Sequence, residues 1–126
     1  MSGRLCLVVD DSRLIRRVAS SILKDLGFKV AEAEHGVEAI HFCEREIPDV
    51  ILLDWNMPEM DGLCCLHTLQ AMKLSPKPVV IMCTTENGLT KIREALDSGA
   101  DEYIMKPYDA DVLAGKFEQL GLLERA

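Results

Sequence analysis

Apolar and polar positions along this chain alternate between two spacings. Short apolar runs at Leu5–Val9, Val50–Leu53, Val79–Cys83 and Tyr103–Met105 have the length of buried strands, and Phe28–Ala33 alternates like a strand nearer a sheet edge. Between these runs the apolar residues fall at helical spacing. Leu14, Ile15, Val18, Ala19, Ile22, Leu23 and Leu26 predict a first helix, stopped by Gly27, where a left-handed residue suits a helix end. Val37, Ile40 and Cys43 mark a second helix, ended before Pro48. Leu63, Leu66 and Leu69 mark the inner face of a third, which Asp61 can cap. Pro76 and Pro78 bracket the approach to the fourth strand. Leu89, Ile92, Ala95 and Leu96 form a fourth helix closed by Gly99. Asp109 can cap a fifth, carrying Val112, Leu113, Phe117 and Leu120 and ended by Gly121.

Strands and helices that alternate through short connections imply right-handed crossovers, with helices on both faces of a parallel sheet. The fold class is therefore α/β: a doubly wound (βα)5 parallel sheet with strand order 2-1-3-4-5. Val50–Leu53 is the most apolar run and belongs at the centre. No linker, repeat or low-complexity tract interrupts the pattern, and residues 1–126 read as a single domain of ordinary size.

That topology gives the polar residues after each strand their meaning. All strands of a parallel sheet end on one edge, and ligands bind beyond those carboxyl ends. Asp10 and Asp11 close the first run, Asp54 the third, Thr84 the fourth and Lys106 the fifth. Three carboxylates, a hydroxyl and an ammonium converge on one place. Clustered carboxylates raise one another's pKa, and a bound cation removes that conflict. Oxygen ligands with one or two direct carboxylates suit Mg2+, which keeps several waters. Asp54, alone at the end of the central strand, is the candidate nucleophile, since a carboxylate can accept a phosphoryl group. Lys106 can follow a phosphoryl oxygen as a flexible point charge, and Thr84 can donate one hydrogen bond to another. Taken singly, each residue has a plainer role: Asp11 as a helix cap, Thr84 as a turn residue, Lys106 as a solvated strand end. The joint pattern is harder to set aside than any one member.

Composition narrows the partners. The 14 basic and 21 acidic side chains give a net charge of −7, which argues against direct nucleic-acid binding. No apolar run nears the roughly 18 residues of a membrane span, and the first residues lead straight into a strand without a signal peptide. A cytoplasmic location is the expectation. Cys6, Cys43, Cys64, Cys65 and Cys83 show neither CxxC nor zinc spacing and read as reduced small hydrophobes. His35, His41 and His67 carry no ligand spacing. Arg13, Arg16 and Arg17 form a basic stripe on the first helix, either a solvated face or a docking surface for an acidic partner.

The stretch from Asp54 through Trp55, Asn56, Met57, Pro58, Glu59, Met60 and Asp61 to Gly62 resembles the phosphorylation loop of response-regulator receiver domains. Val8-Val9-Asp10-Asp11-Ser12, Thr84-Thr85 and Tyr103-Ile104-Met105-Lys106-Pro107 resemble the family's other segments in order and spacing. The run from Asp10 to Arg17 is most similar to the single-domain chemotaxis (CheY-like) type. The resemblance implies a flavodoxin-like fold and a two-component phosphoprotein that accepts a phosphoryl group on Asp54, forming 4-aspartylphosphate. The donor would be a phosphohistidine on a histidine kinase or phosphotransfer protein. It implies Mg2+ held by Asp11, Asp54 and the Asn56 backbone carbonyl, with Asp10 acting through a water. Thr84 and Lys106 would bind phosphoryl oxygens, Lys106-Pro107 would be cis, and Tyr103 would be the aromatic switch partnered with Thr84. The face formed by the fourth helix, fifth strand and fifth helix would change its affinity for a downstream protein. Asn56 and Glu86 occupy positions that tune dephosphorylation in the family. Thr85 stands where a smaller Ala or Gly is common and can slow small donors or an attacking water.

The output implied is a chemotaxis or motility messenger acting on a flagellar switch; the alternative is a phosphorelay intermediate or phosphate sink without motor binding. Two readings from outside the family compete less well. An aspartate-nucleophile phosphohydrolase would need an acid two residues after the nucleophile, where Asn56 stands. A flavodoxin-type electron carrier would not place two aspartates where a flavin phosphate binds. The protein is thus expected not to be an enzyme beyond its own phosphorylation and dephosphorylation.

Overall fold

The computed structural model describes residues 4–57, 60–85 and 89–123. Five strands, β1 (Leu5–Val9), β2 (Lys29–Ala33), β3 (Val50–Asp54), β4 (Val79–Thr84) and β5 (Glu102–Met105), alternate with five helices. The helices are α1 (Arg13–Asp25), α2 (Gly36–Arg45), α3 (Gly62–Met72), α4 (Leu89–Asp97) and α5 (Ala110–Gln119). All strand pairs are parallel and the order is β2-β1-β3-β4-β5, as the alternation predicts. β3, buried along its whole length, is central, and β2 lies at an edge.

Alternate side chains along each strand serve opposite faces. Cys6, Val8, Val50, Leu52, Ile81 and Ile104 pack with Ala19 and Leu23 of α1 and with Leu113 and Phe117 of α5. Phe28 meets Phe117 edge-on there, with ring centroids 5.1 Å apart. Leu7, Val9, Ile51, Leu53, Val80 and Met82 pack on the other face with Ala39 and Cys43 of α2, Cys65, Leu66 and Leu69 of α3, and Ala95 of α4.

Side-chain caps start the helices. Ser12, His35, Asp61 and Asp109 accept the backbone N–H of Ile15, Glu38, Cys64 and Val112 respectively. Asp61 and Asp109 do so as the sequence predicts. Ser12, not Asp11, caps α1, so the capping role weighed for Asp11 falls to its neighbour. Gly27 follows α1 with φ 96°, the left-handed conformation expected of it.

Helical periodicity overstated what is buried. Leu14, Val18, Leu96 and Val112 point outward, because each sheet face covers only one stripe of a helix. In α3 the inner face uses Cys65 beside Leu66 and Leu69, while Leu63 is only partly buried. Arg16 also departs from the solvated stripe: it is 8% exposed and turned inward, leaving Arg13 and Arg17 as the exposed basic residues.

Candidate functional site

The carboxyl ends of β1, β3, β4 and β5 meet at one rim. Carboxylate oxygens of Asp10, Asp11 and Asp54 lie within 4.8 Å of one another. Asp10 and Asp54 are buried and Asp11 is exposed, so the cluster opens to solvent on one side. Lys106 reaches across from the end of β5, donating from Nζ to Asp10 Oδ2 at 2.7 Å and Asp54 Oδ1 at 2.8 Å.

Backbone bonds hold the rim. Asp10 N–H donates to the Ala33 carbonyl, Trp55 N–H to Cys83, and Lys106 N–H to Thr84, extending the sheet ladder past the last residues of the strands. Asp10 Oδ1 also accepts the Ser12 N–H at 2.9 Å. Gly62 is required by close approach: a Cβ there would sit 2.4 Å from the Asp54 carbonyl oxygen. Its N–H donates to the Trp55 carbonyl at 2.8 Å, tying the start of α3 to the end of β3.

These placements set the electrostatics. Burial raises the Asp54 carboxyl, the hydrogen bond and charge of Lys106 pull it back, and Asp10 and Asp11 push it up further; the net shift is upward. Burial alone would lower the Lys106 ammonium, but its bonds to Asp10 and Asp54 outweigh that and raise it. Lys106 therefore stays charged at neutral pH. Two carboxylates bridged by one ammonium, beside a third carboxylate facing solvent, form a donor set of hard oxygen ligands with an open side. Such a set fits a divalent cation of the Mg2+ kind.

Thr84 is buried at the end of β4, one residue beyond Cys83, the cross-strand partner of Asp54. Thr85 is exposed and lines a groove of about 430 Å3 with Leu14, Ile15, Val18, Pro107 and Tyr108. Asn56 is exposed two residues after Asp54, and Lys106-Pro107 is cis. Tyr103 is half-buried on β5, with the Lys116 Nζ 4.9 Å from its ring centroid. Glu86, and with it Pro58 and Glu59 of the loop, lie outside the described residues.

Sequence reasoning missed two features. Lys91 of α4 sits over the buried Trp55 ring, 4.9 Å from its centroid. Arg16 donates to the Asp10 carbonyl at 2.7 Å. An arginine four residues after the helix cap, on the same face as Ala19 and Leu23, was the available signal for the second.

Residues 6–118 match the family model for the response regulator receiver domain. The chain belongs to that family, and its type is CheY-like. It is 43% identical over 116 residues to a chemotaxis protein CheY homolog of Campylobacter jejuni, covering 90% of this chain and 89% of that protein. It is 42% identical over 114 residues to chemotaxis protein CheY1 of Helicobacter pylori, covering 89% and 92%. Among solved structures, the chemotaxis protein CheY4 of Vibrio cholerae superposes with a TM-score of 0.87 at 31% identity, over 92% of this chain and 97% of that one. The chain is thus a signalling receiver of two-component systems and not a classical enzyme. Among the described residues no helix is long and apolar enough to cross a membrane.

Proposed function

We propose that residues 1–126 act as a single phosphoacceptor domain in which Asp54 takes a phosphoryl group from a phosphohistidine on a histidine kinase or phosphotransfer protein. The observation that carries this reading is the Lys106 ammonium bridging Asp10 and Asp54 beside Asp11. Phosphoryl transfer asks for positioning and charge neutralisation more than for covalent help. Asp54 is held at the end of the central strand, and the neighbouring ammonium opposes the burial that raises its carboxyl. Asp11 and Asp54, with the Asn56 carbonyl, would hold Mg2+, Asp10 acting through a water; the ion supplies positive charge to the phosphoryl oxygens. Lys106 exchanges one carboxylate contact for a phosphoryl oxygen without leaving the rim, and the Thr84 hydroxyl donates to another. By likeness to the family, Thr85, Asn56 and Glu86 tune the lifetime of the phosphorylated form.

The groove beside Lys106, with exposed Leu14 and Val18 and flanking Arg13 and Arg17, suits docking of the donor's helices. The output face is α4-β5-α5, with Tyr103 beneath Lys116 as its movable element. By likeness to the chemotaxis proteins, the favoured partner is a flagellar switch component. A relay role would show instead as reversible transfer to a histidine phosphotransfer protein without switch binding.

Beryllofluoride with Mg2+ tests the acceptor directly. Trp55 is the only tryptophan and adjoins Asp54, so its fluorescence is expected to change with Mg2+ and again with beryllofluoride. Asp54→Asn is expected to abolish the second change and labelling by acetyl phosphate. Full labelling of Asp54→Asn would overturn the assignment.

A further inference from the structure

We propose that Arg16 is a positioning residue for cation binding, acting through the Asp10–Asp11 peptide, an inference that rests on the metal site proposed above. Arg16 engages the backbone of Asp10 and the side chain of Glu32. Its Nη1 donates to the Asp10 carbonyl at 2.7 Å, a buried bond, and its Nε donates to Glu32 Oε1 at 3.1 Å. The other Glu32 oxygen accepts from Ser20 Oγ at 3.0 Å. Helix α1, edge strand β2 and the end of β1 are thereby tied to one guanidinium.

The target of that tie gives it a function. Asp10 is fixed at every polar atom: N–H by Ala33, Oδ1 by Ser12, Oδ2 by Lys106, and the carbonyl by Arg16. The last bond orients the peptide plane that leads into Asp11. Asp11 is exposed, so packing does not aim its carboxylate, and the orientation of the preceding peptide limits where its Cα–Cβ bond starts from.

Glu32 has a second role. From edge strand β2 it holds the guanidinium Nε at 3.1 Å, which keeps Arg16 on the Asp10 carbonyl and out of competition with a cation for the carboxylates. The Glu32 side chain is 41% exposed, so the pair itself adds little stability. Orientation is its larger consequence. A lysine would have to reach both acceptors from a single nitrogen, whereas the guanidinium meets them with two donors, Nη1 and Nε, held in a rigid fork.

The test is an amide NMR titration of the full chain with Mg2+, following Asp11, Asp54 and Trp55, alongside thermal melts. Arg16→Met and Arg16→Lys are expected to raise the Mg2+ dissociation constant of the folded protein about tenfold or more, as loss of an outer-shell partner does. Glu32→Ala is expected to weaken binding less, and Arg16→Met is expected to cost less in that background than in the wild type, showing that the two act as one unit. A purely structural role would lower the melting temperature and leave the affinity of the folded molecules unchanged; that result would overturn the proposal. If Arg16→Met does not fold, Glu32→Ala carries the test, and an unchanged dissociation constant there overturns it equally. A wild type showing no Mg2+-dependent shifts at Asp11 and Asp54 would instead remove the metal site itself, and this inference with it.

Discussion

Lys106→Met isolates the charge at the centre of the site, because a thioether of similar length keeps most of the packing. Like charges no more than 4.8 Å apart repel by at least about 3.5 kcal/mol per pair at an effective dielectric of about 20. Contacts at 2.7 and 2.8 Å return about 6 kcal/mol each on the same scale. Two attractions therefore hold three repulsions roughly in balance. Without the ammonium, Asp10 and Asp54 remain buried, close and unpaired. Breaking such a pair costs about 3–5 kcal/mol, or a fall in melting temperature of about 10 °C or more for a chain of this size. The loss should depend on pH with a definite sign. The Asp54 carboxyl is already raised, by burial first and by Asp10 and Asp11, and the variant loses the opposing pull of Lys106. A carboxyl whose folded pKa exceeds its unfolded value adds stability when protonated and loses it as pH rises through the folded pKa. The variant should therefore approach the wild type as pH falls from neutral toward the ordinary carboxylate range, and Mg2+ at neutral pH should stabilise the variant more than the wild type. Urea unfolding at several pH values, with and without Mg2+, measures this. A stability gap that stays constant with pH and indifferent to Mg2+ would show that Lys106 does not offset the repulsion among these carboxylates.

Other expectations follow from single contacts. Gly62→Ala should cost about 1–3 kcal/mol by urea unfolding, since its Cβ meets the Asp54 carbonyl, and should slow labelling by acetyl phosphate more than a distant variant of equal stability does. Phe117→Ala, at a fully buried position packed on Phe28, should cost about 3–5 kcal/mol while leaving Mg2+ affinity of the folded protein unchanged. Native alkylation at mildly alkaline pH should modify one thiol, and Cys64→Ser should abolish the reaction. Cys64 alone is exposed among the five cysteines, whereas burial pushes Cys43 up to about 11 and Cys65 and Cys83 up to about 12. Lys91→Ala should change Trp55 fluorescence, because it removes a cation from the ring face.

Much of this molecule is legible in its sequence, for specific reasons. Strand residues are buried on both faces, so Leu5–Val9, Val50–Leu53 and Val79–Cys83 appear as unbroken apolar runs that few other structures need. The polar residue after each run is then placed by topology alone, which is how Asp10, Asp11, Asp54, Thr84 and Lys106 come together on paper. The helices are less readable. Leu14 and Val18 obey helical periodicity as well as Ala19 and Leu23 do, yet stand in solvent beside the acidic rim. Spacing counts apolar residues without knowing how wide a stripe the sheet will cover. Arg16 was hidden for the converse reason. A charged residue between two exposed arginines reads as solvated until the Asp10 carbonyl and Glu32, from two other elements, are seen to converge on it. Lys91 over Trp55 is a pairing between a helix and a distant loop that no local pattern encodes.

The proposed function rests on one carboxylate of the cluster receiving the phosphoryl group. Its most direct test is incubation with a phosphodonor and Mg2+, borohydride reduction of the acyl phosphate, and peptide mapping by mass spectrometry. A single reduced residue is expected at Asp54, absent when the metal is chelated. Reduction at Asp10 or Asp11 instead, or equal labelling without a divalent cation, would contradict it.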